Sequence, residues 1–141
     1  MTESLGSGHL IHANASMTGG AFEVFEVGVD TGQGPPSHVH LERDEAFYVI
    51  AGRFAFWSGV ETIEATAGEF VFVPRGSQHR FESRSNGARL LFVVAPAGLE
   101  GFFREMHVLL ARGTEPMRAR VELAGRYDSH PVTDGDQPGR P

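Results

Sequence analysis

Between His9 and Ala95 the chain is a succession of short apolar or alternating stretches, each broken by Gly, Pro, Asn or Asp. That is the pattern of many strands joined by tight turns. His9–His12 predicts a first strand, preceded by a loose, polar Met1–Ser7 and followed by a turn-rich connector over Asn14–Gly20. In Ala21–Val29, Phe22, Val24, Glu26 and Gly28 share one face, and Glu23, Phe25, Val27 and Val29 the other. Apolar residues on both faces predict a strand covered on each side. Further strands are predicted over Ala46–Ala51, Arg53–Ser58, Val60–Ala65, Phe70–Val73, His79–Ser83 and Ala88–Ala95, with turns at Gly52, Gly59, Gly68 and Asn86-Gly87. The period changes at Pro96. Leu99, Phe102, Phe103, Met106 and Leu110 recur at helical spacing, and Gly113 ends that helix. A second helix begins at Thr114, with Glu115 and Pro116 in its first turn and Met117, Val121 and Leu123 or Ala124 as its apolar stripe. Both helices are expected to pack on the barrel.

The length of 141 residues makes this one domain, residues 1–141, with a barrel over about 9–96, helices over about 98–127 and a tail at 128–141. The tail is rich in Pro, Gly and Asp and is expected to be disordered. A net charge of −6 without a basic stripe argues against a nucleic-acid partner. The absence of cysteine excludes disulfides, iron–sulfur clusters and thiolate chemistry. Neither a signal peptide nor a membrane-spanning run is read from the sequence, so the expectation is a cytoplasmic protein with no membrane partner.

Candidate chemistry concentrates in GQGPPSHVHLERDEAFYVIAG, residues 32–52. Alternation turns His38 and His40 to one side together. Glu45 is an odd number of residues from both, so it shares their side only if the polar segment Leu41–Asp44 reverses the chain. The partner stretch runs from Gly68 through an apolar strand and the Pro74–Gly76 turn to His79. Three histidines and a carboxylate on neighbouring strands suit a divalent transition metal with coordination positions left open.

The first stretch reads G-x5-H-x-H-x4-E-x6-G, through Gly32, His38, His40, Glu45 and Gly52. The second reads G-x5-P-x-G-x2-H-x3-S, through Gly68, Pro74, Gly76, His79 and Ser83. The pair resembles the two signature motifs of the cupin superfamily, with Ser83 where the family usually has Asn, a position that is not a ligand. The resemblance implies an all-β fold, a double-stranded β-helix or jelly-roll barrel, followed here by one or two short C-terminal helices. It implies His38, His40, Glu45 and His79 as ligands of one divalent metal per chain, with Fe, Mn, Ni, Co, Cu and Zn all open, and no other cofactor. Together with GGAF before the first motif, and GLEGFFREM and GRYD after the barrel, the chain is similar to single-domain bacterial cupins of the quercetin 2,3-dioxygenase-like group. In that group the glutamate takes the proton of a metal-bound substrate hydroxyl, a role that falls here to Glu45.

If Glu45 faces inward, Phe47 and Val49 do too, and Phe81 follows His79. Phe47, Val49 and Phe81 are therefore the expected pocket walls. Aromatic walls with no inward Lys or Arg on these strands favour a flat, largely uncharged ligand. The leading expectation is a dioxygenase acting on a flavonol-like or other aromatic or enolic small molecule. The alternatives are a non-redox metal-dependent isomerase or lyase, and a small-molecule-binding cupin without turnover. The apolar faces of Phe70–Val73 and Ala21–Val29 lead to the expectation of a homodimer.

Overall fold

The computed structural model describes residues 2–132. Its elements in chain order are β1 (Glu3–Gly6), β2 (His9–Ala13), α1 (Ala15–Thr18), β3 (Glu23–Val29), β4 (His38–Val39), β5 (Asp44–Ala51) and β6 (Arg53–Ser58). There follow β7 (Glu61–Thr66), β8 (Phe70–Val73), β9 (His79–Ser83), β10 (Ala88–Ala95), α2 (Glu100–Ala111), α3 (Pro116–Tyr127) and β11 (His130–Pro131). Two sheets face each other: six strands in the order β1-β2-β3-β10-β5-β8, and five in the order β11-β4-β9-β6-β7. This is the double-stranded β-helix expected from the motifs.

The sheets close because alternate residues on the long strands are apolar. Along β10, Ala88, Leu90, Phe92 and Val94 are buried while the residues between them are partly exposed. On β6 it is Phe54 and Phe56 that face into the barrel, where they pack with Phe47 and Phe81 at ring separations of 5.2–6.1 Å. That spacing is the range in which aromatic pairs attract. Two glycines are fixed by geometry. A Cβ on Gly34 would collide with the Phe81 carbonyl oxygen. Gly76, at φ 82°, turns the chain so that its N–H donates to the His40 carbonyl oxygen at 2.7 Å.

The helices are held by side chains from elsewhere. Leu99, at the N-terminus of α2, has no capping side chain of its own. Buried Glu23 of β3 supplies the cap, accepting from the N–H groups of Gly98 and Leu99 at 2.8 Å and Glu100 at 3.2 Å. Helix α3 begins with Glu115 as N-cap, accepting from Met117 and Arg118, and Pro116 at its first turn. Its buried face is Ala119 and Leu123; Val121, expected in the apolar stripe, is exposed.

Two expectations for the termini change. Residues 3–6 form an edge strand, because Glu3–Gly6 pairs with β2 and Glu3 is bridged to Arg104 of α2. Residues 128–132 lie at the front of the expected disordered tail, yet they are tied down. Asp128 caps α3 in the left-handed conformation, His130 and Pro131 pair with Val39 and His38, and Val132 donates to the Ser37 carbonyl. The rest of that tail lies outside the described residues.

Candidate metal centre

The ligand-bearing strands come from both sheets. His38 on β4 and His79 on β9 are directly opposite each other in the five-stranded sheet. His40 follows β4, and Glu45 comes from β5 of the facing sheet after the Leu41–Arg43 turn. The reversal that the sequence reading required therefore takes place, and it turns all four side chains inward. All four are buried, and their ligand atoms lie within 4.8 Å of one another.

Each imidazole is oriented from behind. The Nδ1 atoms of His38, His40 and His79 lie 2.8 Å from the Pro36 carbonyl oxygen, 2.8 Å from that of Asp128 and 2.9 Å from that of Ser77. A carbonyl only accepts, so each Nδ1 carries a hydrogen and each Nε2 points towards the centre. Backing of this kind is what metal-binding histidines require. The Nε2 atoms of His40 and His79 each lie 2.9 Å from Glu45 Oε1. Burial alone would raise the pKa of Glu45, but the hydrogen bonds and charges of His40 and His79 outweigh it and hold the carboxyl well below the usual range. Burial works against protonating His38 and, with the charges of His79, His40 and Arg120, lowers its pKa well below the ordinary value. For His40 burial is outweighed by the Glu45 hydrogen bond and charge, and its pKa rises. Three convergent nitrogens and an ionised carboxylate, all desolvated, are a donor set that fits a divalent transition metal.

Three of the four residues, His38, His40 and Glu45, line a cavity of about 430 Å³. Phe47 and Phe81 line it as the sequence predicts, but Val49 does not. Val49 is one strand period beyond Phe47, behind the layer formed by Phe47, Phe56 and Phe81, and belongs wholly to the core. The opposite wall is what the sequence reading missed. Phe102, Phe103 and Met106 of α2 and Arg120 of α3 line the same cavity, so the helices build the pocket as well as covering the barrel. The inner wall was expected to be without Lys or Arg. That holds for the strands, but Arg120 reaches the cavity from α3. Its four-residue spacing from Pro116, which also lines the cavity, was the available signal. His9, at the start of β2, is buried against Phe103 at a ring separation of 4.6 Å and also lines the cavity.

Ser83 is wholly buried, with its Oγ donating to the Ser85 carbonyl at 2.6 Å. It shapes the turn before β10 and lies outside the cavity lining.

Comparison with known proteins agrees with this architecture. The family model for the cupin domain matches residues 25–95, which includes all four candidate ligands. The chain belongs to the cupin family. It is 29% identical over 98 residues to quercetin 2,3-dioxygenase of Bacillus subtilis, a match covering 70% of this chain and 29% of that protein. It is 32% identical over 71 residues to quercetin 2,3-dioxygenase of Aspergillus japonicus, covering 47% of this chain and 20% of that one. The chain thus spans under a third of the length of either enzyme. Among solved structures, an RmlC-like cupin from Shewanella frigidimarina superposes with a TM-score of 0.57 at 24% identity, covering 72% of this cupin and 87% of that chain. None of the helices among the described residues is long and apolar enough to cross a membrane.

Proposed function

We propose that this cupin is a metal-dependent enzyme of the dioxygenase type, acting on a flavonol-like or other aromatic or enolic small molecule. The observation that carries the reading is the cluster of His38, His40, Glu45 and His79, three of which, His38, His40 and Glu45, line an otherwise largely apolar cavity of about 430 Å³. That size is within the range of ordinary small-molecule sites. The two relatives named quercetin 2,3-dioxygenase support the reaction class.

In this reading the three histidines and Glu45 hold one redox-active ion, Fe, Mn, Ni, Co or Cu, whereas Zn in the same site would suit the non-redox alternative. When bound, the ion supplies Lewis acidity and, for the redox-active metals, electron transfer between substrate and oxygen. The protein's own part is positional and acid–base. Glu45 is kept ionised, the form that takes up the proton of a substrate hydroxyl. Phe47, Phe81 and Phe102 supply aromatic wall against which a flat substrate would pack.

The test is elemental analysis of protein purified without chelator, followed by oxygen-electrode assays with flavonols and related enols. One redox-active metal per chain with enol-dependent oxygen uptake supports the proposal. Zinc alone, or ligand binding without oxygen consumption, overturns the dioxygenase assignment.

We also infer a homodimer formed on the outer face of the six-stranded sheet. Phe70 and Phe72 on the edge strand β8 are 63% and 54% exposed, and Tyr48 beside them on β5 is 43% exposed. An apolar patch on an open edge is a surface that a second copy would cover.

A further inference from the structure

Among the described residues lining the cavity, Glu45 and Arg120 are the only carboxylate and the only guanidinium. Arg120, partly buried, follows the buried Ala119 of α3 and stands 5.6 Å from the Phe102 ring centre. Burial pushes its pKa down to about 10, with the Glu45 charge acting in the other direction, so it remains a cation at neutral pH. No described carboxylate lies within ion-pair distance of it, whereas Arg75, Arg84, Arg89, Arg104 and Arg126 each have such a partner. A partly buried guanidinium without a counter-ion carries a desolvation cost that an anion in the cavity would offset.

The charge balance of the site adds to this. A divalent cation on three neutral imidazoles and one carboxylate leaves a net positive charge, and Arg120 contributes another. The remaining walls are apolar side chains, histidines and a few neutral polar groups. In such surroundings a monoanion is favoured over a neutral ligand. A carboxylate also matches the planar fork of a guanidinium. The described lining has no lysine and no second arginine, which argues against a phosphate dianion.

We propose that the cavity takes an organic acid: an aromatic or enolic molecule whose carboxylate pairs with Arg120 while its hydroxyl-bearing end lies at His38, His40, Glu45 and His79. Arg120 is then a specificity residue, and the uncharged ligand expected from the strands alone is replaced by an anionic one. The proposal rests on the functional reading above and narrows its substrate class.

The experiment is calorimetric titration of the wild-type protein, metal-loaded and chelator-treated, with 3,4-dihydroxybenzoate and with its methyl ester. The two probes share the hydroxyl end and differ in the charge offered to Arg120. Wild-type protein is expected to bind the acid at least roughly tenfold more tightly than the ester, the scale of a hydrogen bond to a charged group. Arg120→Met should abolish that ratio by weakening acid binding while leaving the ester within about twofold, and Arg120→Lys should retain part of it. Equal binding of acid and ester by wild-type protein, a result that needs no variant to fold, overturns the proposal. So does a ratio that Arg120→Met leaves unchanged. Binding of both probes as tightly without metal as with it would overturn the metal-centred reading instead, and the acid-to-ester ratio would still decide the role of Arg120.

Discussion

His40 and Asp128 lie 88 residues apart in sequence, and the imidazole Nδ1 of the first donates to the backbone carbonyl of the second at 2.8 Å. The Asp128 carboxylate simultaneously accepts from the N–H groups of Leu41 at 2.9 Å and Glu42 at 2.8 Å. The end of α3 is thereby clamped onto the loop that carries the chain from His40 to Glu45. Because Asp128 is at φ 55°, it also supplies the left-handed turn that ends the helix.

This clamp gives the first prediction. Asp128→Ala removes both acceptors and places alanine in a left-handed conformation, and should cost about 2–3 kcal/mol of stability. It should also lower metal affinity by about tenfold, since the group behind His40 is no longer held in place. Asp128→Asn, which keeps an acceptor and tolerates the left-handed turn, should lose less of both. Thermal melts in chelator and competition with a chromogenic chelator measure the two effects. Reduced stability with unchanged affinity would show that the clamp does not orient His40.

The second prediction concerns His79. Replacing it with Ala removes one of the four convergent donors and one of the two hydrogen bonds to Glu45. Metal affinity should fall by more than the roughly 10–100-fold that loss of an outer hydrogen-bond partner costs. Metal content after dialysis, measured by elemental mass spectrometry, is the check. A variant that keeps its full metal complement would remove His79 from the site.

Strands such as β8 and β10 were legible because they bury one face, and a period of two in the sequence records that directly; β6 buries four consecutive residues and was legible from its apolar run and flanking turns. The four candidate ligands were legible because motif spacing brings them together from strands of the two facing sheets. The helical wall was not. Periodicity shows that Phe102, Phe103 and Met106 share a face, but it does not show that this face overlies the barrel mouth. Arg120 reads as an ordinary surface charge until α3 is docked, and Asp128 reads as the start of a polar tail. Glu23 is the sharpest case: alternation put it on the same face as Phe25, yet nothing local indicates that three N–H groups more than seventy residues later wait for its carboxylate. Contacts of that kind are decided by tertiary packing alone.

A third prediction follows from the exposed rings of β8. If two copies meet there, Phe70→Glu and Phe72→Glu together should place like charges opposite one another at the interface and shift the mass measured by light scattering from two chains to one. The substitutions point away from the core, because Val71 and Val73 are the inward residues of that strand, so stability within one chain should change by under about 1 kcal/mol. A wild-type protein of single-chain mass would sink the dimer.

The last prediction is a pH dependence set by His9. Its ring is packed against Phe25, Phe92, Phe103 and His107, and His107 is the one titratable group among these neighbours. Its Nε2 is buried without a hydrogen-bond partner. Burial, and secondarily the charge of His107, push its pKa down from 6.5 to about 4. Between those values the unfolded chain binds a proton that the folded protein refuses. Stability therefore rises with pH across this window, is fully present above about 6.5, and is lost as pH falls towards 4. At about 1.4 kcal/mol per unit, the loss amounts to about 3 kcal/mol. His9→Phe, which keeps an aromatic ring among aromatic neighbours, should remove that component. Urea unfolding of both proteins in chelator at pH 7.5 and 4.5 should show the variant gaining about 2–3 kcal/mol on wild type at the lower pH. Parallel losses in the two proteins would mean that His9 is not the group responsible.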